Sequence, residues 1–371
     1  MGYTAATNPN TSIENQGDLV ITASFASADE LLAGFRRVLG QPQDAVLRST
    51  VQTDPVLDFA HGVARGLSQD PPSLDPRFLY DDQGSELYAR ICQQPEYYPP
   101  RVESRILRTH ARLLPALTGE ATLFELGSGN AEKTGHLLAA YQAAFGDATY
   151  VPIDVSDAAL LQAEASIGER FPDVRFIGVN GTFQDGFPLF RVASPALVVF
   201  LGSTIGNLPP AEAARFWEGV ADALAPGDHF LLGVDLVKEP AFLERAYDDC
   251  AGVTASFTRN LFGRMNRELG AAVDLQAVEH VARWSDDHEQ VEIHAHFTAP
   301  QVVEIEPLDR RFEFDAGDRV LVEVSRKFRI ETLPLYLGEF GFELREVFTD
   351  ERGWFAHLLL QRSPVAGFGD G

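Results

Sequence analysis

Apolar and polar positions along this chain change rhythm, and the changes divide it. Residues 122–126 form a short, apolar, β-favouring run, and beyond Ala131 the apolar positions Leu137, Leu138 and Tyr141 fall at helical spacing. The spacing predicts a buried strand, a tight turn at Gly127 and Gly129, and a helix directly behind it. Strands are expected in the same way at 150–154, 174–179, 196–201 and 230–234. Between them lie a helix at 156–171, capped by Ser156, and one at 209–224, ended by Pro226 and Gly227. Such alternation implies right-handed βαβ units and a doubly wound parallel sheet, the α/β class. Beyond residue 235 the rhythm is lost. Two consecutive helices are expected at 238–250 and 254–269, then antiparallel strands at 290–297, 302–305 and 320–328, which is α+β material and implies a second domain. The runs 342–349 and 354–361 read as a hairpin that closes an edge of the first sheet.

Upstream of all this, residues 1–18 are polar and read as disordered, and 28–39 has the spacing of a surface helix or a docking helix. An amphipathic helix at 56–67 precedes a break at Pro71, Pro72 and Pro76. Four tyrosines follow among turn residues, Tyr80, Tyr88, Tyr97 and Tyr98. Aromatic hydroxyls on loops suit a ligand pocket, although packing between domains explains them equally well.

Charge and cysteine content narrow the function classes. A formal net charge of −24 over 371 residues opposes polyanions, so neither nucleic acid nor an anionic membrane is an expected partner. No apolar run approaches the ~18 residues of a membrane span, and the amino terminus lacks the pattern of a signal peptide. Cys92 and Cys250 are the only cysteines and lack C-x-x-C spacing, which suits a reducing compartment. A cytoplasmic protein is the expectation. His294 and His296 share a strand face without a carboxylate or thiolate at metal spacing, so no metal site is expected.

The chemistry gathers at strand ends. Gly127 and Gly129 let a ligand approach bare backbone, and Asp154 ends the next strand, where a carboxylate accepts hydrogen bonds from a ribose diol. A dinucleotide usually needs a third glycine in G-x-G-x-x-G, which is missing. S-adenosylmethionine needs only the turn, the ribose acid and room for a sulfonium, a cation that Glu125 suits. The strand at 196–201 also ends in small residues, Gly202 to Asn207. Asn207 offers a donor and an acceptor to an amino acid's carboxylate and ammonium, or it caps the next helix. Glu323 and Ser325 alternate with Val322 and Val324 and so share one strand face.

The segments Y-D-D-Q-G-S-E-L-Y, P-E-Y-Y-P-P-R, E-L-G-S-G-N-A-E-K-T, F-L-G-S-T-I-G-N-L, A-Y-D-D, G-V-T-A-S-F-T-R-N, R-E-L and E-V-S-R-K-F occur in this order. Together they resemble the ergothioneine-pathway L-histidine Nα-methyltransferase family, over residues 54–361. The resemblance implies a class I methyltransferase domain (101–235 and 328–371) that binds S-adenosylmethionine. A substrate domain (51–100 and 236–327) would bind L-histidine, and residues 1–50 would be an extension outside both. Cofactor contacts are implied at Tyr80, Gly127, Lys133 and Asp154. Thr182, with Phe183 beside it, stands where the best-known members carry an acid. Asn207 and Tyr247 are implied at the amino acid's ammonium and carboxylate, with Gly202 nearby. Tyr97, Glu323 and Ser325 are implied around the imidazole, while Tyr88 and Ile293 replace a frequent phenylalanine and methionine in the pocket wall. Tyr80 and Asn207 would orient the amine for in-line attack on the methyl group, giving the betaine hercynine with no metal; the oligomeric state stays open, a monomer being plausible. Two other readings stay open: a methyltransferase of the same family acting on another amino acid or a histidine derivative, and a regulatory protein that binds without turnover.

Overall fold

A computed structural model describes residues 14–16, 20–49, 54–129 and 131–364. Its main feature is a ten-stranded sheet built on the expected alternation. Eight of the strands come before the change of rhythm: β1 (Glu14–Gln16), β2 (Val20–Phe25), β3 (Asp44–Ser49), β4 (Thr122–Leu126), β5 (Ala148–Asp154), β6 (Val174–Asn180), β7 (Ala196–Phe200) and β8 (His229–Asp235). Five more form the inserted part: β9 (Val278–Ser285), β10 (Gln290–Phe297), β11 (Gln301–Ile305), β12 (Arg310–Phe314) and β13 (Arg319–Arg326). The hairpin is β14 (Phe342–Thr349) and β15 (Phe355–Arg362).

The main sheet runs in the order β1-β2-β3-β6-β5-β4-β7-β8-β15-β14, with β2 to β8 parallel and β15 antiparallel to β8. Side chains of β7 alternate between the two cores, Leu197 and Val199 to one face and Val198 and Phe200 to the other, all essentially without solvent exposure. Each such burial stabilises by roughly 1.5–3 kcal/mol, which is why these strands read as continuous apolar runs. The chain reverses direction about β4, leaving β5 on one side and β7 on the other, so a crevice opens beyond the carboxyl ends of β4 and β7. The three loops carrying the glycine turn, Asp154 and Asn207 all leave the sheet at that edge.

Two expectations need correction. Residues 20–49 are not an extension outside the main fold, because β2 and β3 pair in parallel with each other and β3 with β6. The helix Ala28–Leu39 between them buries Leu31, Phe35 and Val38 in the core of that face, so it is structural and not a docking element. Of the stretch read as disordered, only Glu14–Gln16 is described, as a strand paired with β2; the rest lies outside the described residues. The second correction is local: the helix after the glycine turn begins at Gly135, leaving 127–129 and 131–134 outside it, with Ala131 at φ +52°.

The inserted part is a three-stranded antiparallel sheet, β13-β10-β9, and a two-stranded one, β11-β12. The helix Val253–Leu269 packs on β9 and on the helix Asp82–Ile91, so the tyrosine-rich segment and the insertion form one body. Strands β9 and β12 carry only a weak strand signal in the sequence, since their polar exposed positions dilute the alternation. Among the described residues no helix is long and apolar enough to cross a membrane.

Candidate active site

The turn after β4 is shaped as the glycines require. Gly127 and Gly129 hold φ +69° and +51°, and a Cβ on Gly127 would stand 3.6 Å from the Phe183 ring. Asp154 Oδ2 accepts the Gly129 N–H at 2.9 Å, and Oδ1 accepts the Ser156 N–H at 2.9 Å. The carboxylate is thereby locked across the turn with a lone pair left on each oxygen. Ser128, between the two bare backbone positions, has a buried hydroxyl without a partner among the described residues. A locked acid, an open backbone cradle and an orphaned hydroxyl suit the ribose and amino-acid portions of S-adenosylmethionine. Phe183 flanks the cradle with its edge toward Phe200. The Thr182 hydroxyl is occupied otherwise: it caps the helix Phe183–Val192 in a reciprocal box with Asp185.

Glu125 is engaged within the protein, with the Lys133 ammonium nearby. Its oxygens accept the hydroxyls of Thr134, at 2.6 Å, and Tyr150. Burial raises its carboxyl to about 7 against those two hydrogen bonds, so it serves as a buried tie that holds the 127–134 loop on the sheet.

Lys133 and Gly202 are brought together by a residue not singled out from sequence. Glu103, wholly buried on the helix Pro99–His110, ion-pairs with Lys133 and accepts the Gly202 N–H at 2.7 Å. Its burial alone would raise the carboxyl, but the Lys133 ammonium and the His357 ring hold it down at about 2. Gly202 sits at φ +76°, and a Cβ there would lie 4.0 Å from Lys133 Nζ.

Beyond Gly202 the loop turns against the insertion. A Cβ on Gly206 would stand only 2.6 Å from the Arg326 carbonyl oxygen, so this glycine permits the backbones to meet. Asn207 then donates one amide hydrogen to Glu323 Oε1 at 3.0 Å and the other to the Val324 carbonyl at 2.9 Å. It does not cap the following helix, whose N-cap is Pro209. Both donors are committed, so what Asn207 offers a ligand is its carbonyl oxygen. Burial raises the Glu323 carboxyl to about 7, opposed by the Asn207 hydrogen bond and by Lys327. Ile293 lies directly opposite Glu323 in the β10–β13 register and forms the apolar floor beside it.

Aromatic rings line the remaining side. Tyr80 meets Tyr88 and Phe257 edge-on at 5.5 and 5.4 Å, and Tyr97 meets Tyr247 at 5.7 Å. Tyr80 is 45 % exposed, and loss of solvent and the nearby Glu323 hold its phenol well above its ordinary range. It is a neutral hydroxyl at any working pH. Phe257 comes from the helix Val253–Leu269 and carries no signal of its own in the sequence.

Tyr247 and Ser325, implied at opposite ends of a substrate, have hydroxyls only 2.7 Å apart. Both accept from the buried ammonium of Lys327, at 2.7 and 2.8 Å, and Lys327 pairs with Asp235 at 2.8 Å. Neither Lys327 nor Asp235 carries a local sequence signal, since they end separate strands and meet only when the insertion docks.

The carboxyl edge of the sheet thus carries an acid locked on the glycine turn, an amide oxygen and a buried carboxyl beside tyrosine rings. Comparison with known proteins gives that combination a family. A family model described as histidine-specific methyltransferase, SAM-dependent, matches residues 59–362. Histidine N-alpha-methyltransferase of Mycolicibacterium smegmatis is 45% identical over 300 residues, covering 81% of this chain and 94% of that protein. Ergothioneine biosynthesis protein 1 of Neurospora crassa is 30% identical over 78% of this chain and 33% of its own length. Among solved structures, the CcbJ methyltransferase of Streptomyces caelestis has a TM-score of 0.38 at 14% identity, covering 69% of this chain and 95% of that one. The chain is an enzyme of the SAM-dependent, histidine-specific methyltransferase family.

Proposed function

We propose that this enzyme methylates the α-amino nitrogen of L-histidine in successive transfers, up to the trimethylated betaine hercynine, as a step in ergothioneine biosynthesis. The carrying observation is the hydrogen bond between Asn207 and Glu323, which couples an acceptor suited to an amine N–H with an acceptor suited to an imidazole N–H. The relatives named for histidine Nα-methylation and ergothioneine formation support the same substrate.

S-adenosylmethionine supplies an electrophilic methyl group on a sulfonium. Gly127, Asp154 and Phe183 hold the donor, and Lys133 steadies its side of the cleft through Glu103. The amine must be neutral to attack, and Asn207 orients it by accepting an N–H and leaving the lone pair to point at the methyl group. Tyr80, being a protonated phenol, positions the nitrogen by hydrogen bonding and does not remove its proton. Holding nitrogen and methyl carbon at attack distance contributes on the order of 7–11 kcal/mol. Glu323, beside Ser325 and Tyr97, reads the ring; Tyr247 and Gly202 lie toward the carboxylate. In domain terms, residues 101–235 and 328–371 hold the donor while 51–100 and 236–327 hold the amino acid. All these groups come from one chain, so a monomer suffices, and the cytoplasm supplies both substrates.

Turnover of a panel of amino acids tests the reading. Histidine is expected to exceed phenylalanine, tyrosine and tryptophan in kcat/KM by tenfold or more, as for a site whose buried polar groups an apolar ring leaves unpaired, roughly 1–3 kcal/mol. Preference for tryptophan or another amino acid would assign the enzyme to a different member activity of the family.

A further inference from the structure

Tyr80 stands on a link of two residues, Tyr80 and Asp81, between the 3-10 turn Pro76–Leu79 and the helix Asp82–Ile91. Its hydroxyl lies at the far end of a long side chain, so a small rotation of that link moves the oxygen most. One face of the helix Val253–Leu269 holds the link. Phe257, Asn260, Arg264 and Arg267 recur at steps of three and four, which sets them along a single stripe. Phe257 meets the Tyr80 ring edge-on. Arg264 donates to the Phe78 carbonyl, two residues before Tyr80, at 3.1 Å. It is itself steadied by Glu268 at 3.0 Å and by the Phe59 ring, whose centre lies 4.2 Å from the guanidinium. Asn260 and Arg267 donate to Asp81, the residue after Tyr80, at 2.6 Å each, one to either carboxylate oxygen.

The grip is polar at a place where packing alone would favour an apolar side chain. Asn260 is 6 % exposed, and while its amide hydrogen goes to Asp81, its oxygen has no partner among the described residues. Leaving a buried acceptor unmet costs stability, so the donor to Asp81 is what this asparagine contributes. Asp81 Oδ1 also accepts the Gly84 N–H at 2.8 Å, and a Cβ on Gly84 would stand 1.8 Å from the Leu79 carbonyl oxygen, so the turn closes only around glycine. The carboxylate therefore ties the link to the helix that follows it and to the insertion at once.

We propose that Asn260 is a positioning residue which, with Arg267, holds Asp81 and so fixes the Tyr80 hydroxyl on the substrate amine. The inference rests on the role given to Tyr80 above and deepens it. It requires these donors to act on methyl transfer through that phenol alone. Neither of them reaches the glycine turn that receives the methyl donor.

The test compares kcat, the histidine KM and the affinity for S-adenosylhomocysteine in the wild type, Asn260→Leu, Tyr80→Phe and the double variant. Asn260→Leu removes the buried donor together with the unmet oxygen, and Asp81 keeps Gly84 and Arg267, so a melting temperature close to that of the wild type is expected. Its kcat should fall about tenfold, since misplacing a positioned group by about 1 Å costs on the order of a hundredfold. The histidine KM and the calorimetric affinity for S-adenosylhomocysteine should stay within about twofold, as for a residue distant from both ligands. In the Tyr80→Phe background, which lacks the hydroxyl, adding Asn260→Leu should lower kcat no further. Unchanged kcat in Asn260→Leu, or an equal fall in both backgrounds, would overturn the proposal. If Asn260→Leu does not fold, Arg267→Met, at the half-exposed donor, is measured in the same two backgrounds, and the same two results overturn it. Wild-type turnover in Tyr80→Phe alone, or no histidine methylation by the wild type, is a distinct result: it sinks the reading of Tyr80 or of the substrate, and the proposal falls with it.

Discussion

Asn207 and Glu323, 116 residues apart in the chain, share a 3.0 Å hydrogen bond that joins the loop after β7 to strand β13. The bond uses an Asn207 donor, and the Val324 carbonyl takes the other. The amide can present its oxygen only, which favours a neutral amine over a carboxylate at that position.

Replacing Asn207 with alanine should therefore cut turnover on the order of a hundredfold or more, the scale of a lost proton-positioning group. Binding of S-adenosylhomocysteine should barely change, because Asp154 and the glycine turn are untouched. Steady-state kinetics with calorimetry and circular dichroism check this; a folded variant with wild-type turnover would show that Asn207 only pins the loop.

The raised carboxyl of Glu323 gives a pH signature in the ligand-free enzyme. Its folded value of about 7 stands above the ordinary 4.5, so the folded state holds the proton more tightly than the unfolded one. Stability from this group is complete below about pH 4.5 and is lost as pH rises through about 7. Glu323→Gln keeps the acceptor for Asn207 but cannot ionise. The variant should gain thermal stability over the wild type at about pH 8, and the gap should close toward about pH 5. A gap independent of pH would mean that Glu323 does not titrate in this range.

Glu103 has the opposite sign. Held down at about 2 against an ordinary 4.5, it stabilises above the unfolded value, and that contribution is lost as pH falls through the window between the two. Glu103→Gln strands Lys133 and should cost about 3–5 kcal/mol near neutrality, as for breaking a buried ion pair. Chemical denaturation near pH 7 and again near pH 3 reads the difference, which should shrink in acid.

At the donor side, Asp154→Ala removes a carboxylate that braces the Gly129 backbone as well as offering itself to a ribose. Affinity for S-adenosylmethionine should fall by about 1–3 kcal/mol, with NAD not bound by either protein. Unchanged calorimetric affinity would place the nucleoside elsewhere.

Much of this was legible in the chain because it is written locally. Strands β4 to β8 show as apolar runs, Gly127 and Gly129 as a turn, and Ser156 as a cap. Asp154, Asn207 and Glu323 stand out by position at strand ends or on a strand face. The parts that were not legible depend on distant partners. Glu103 reads as one more charge on a helix until it meets Gly202, 99 residues away. Lys327 and Asp235 end separate strands and acquire meaning only as a buried pair. Residues 20–49 form a β-α-β unit, but its strands stand far from β4 in sequence, so its place beside β6 comes from pairing across the chain. Glu125 was misread because the hydroxyls that take it, from Thr134 and Tyr150, arrive from a loop and the next strand.

The most direct test of the central claim is mass spectrometry of the purified enzyme with L-histidine and S-adenosylmethionine, with fragmentation to locate the added methyl groups. Mono-, di- and trimethylated histidine should appear in succession, every methyl on the α-nitrogen and the trimethylated betaine as end product. Methylation of an imidazole nitrogen, or no methyl transfer to histidine while another amino acid is modified, would contradict the account.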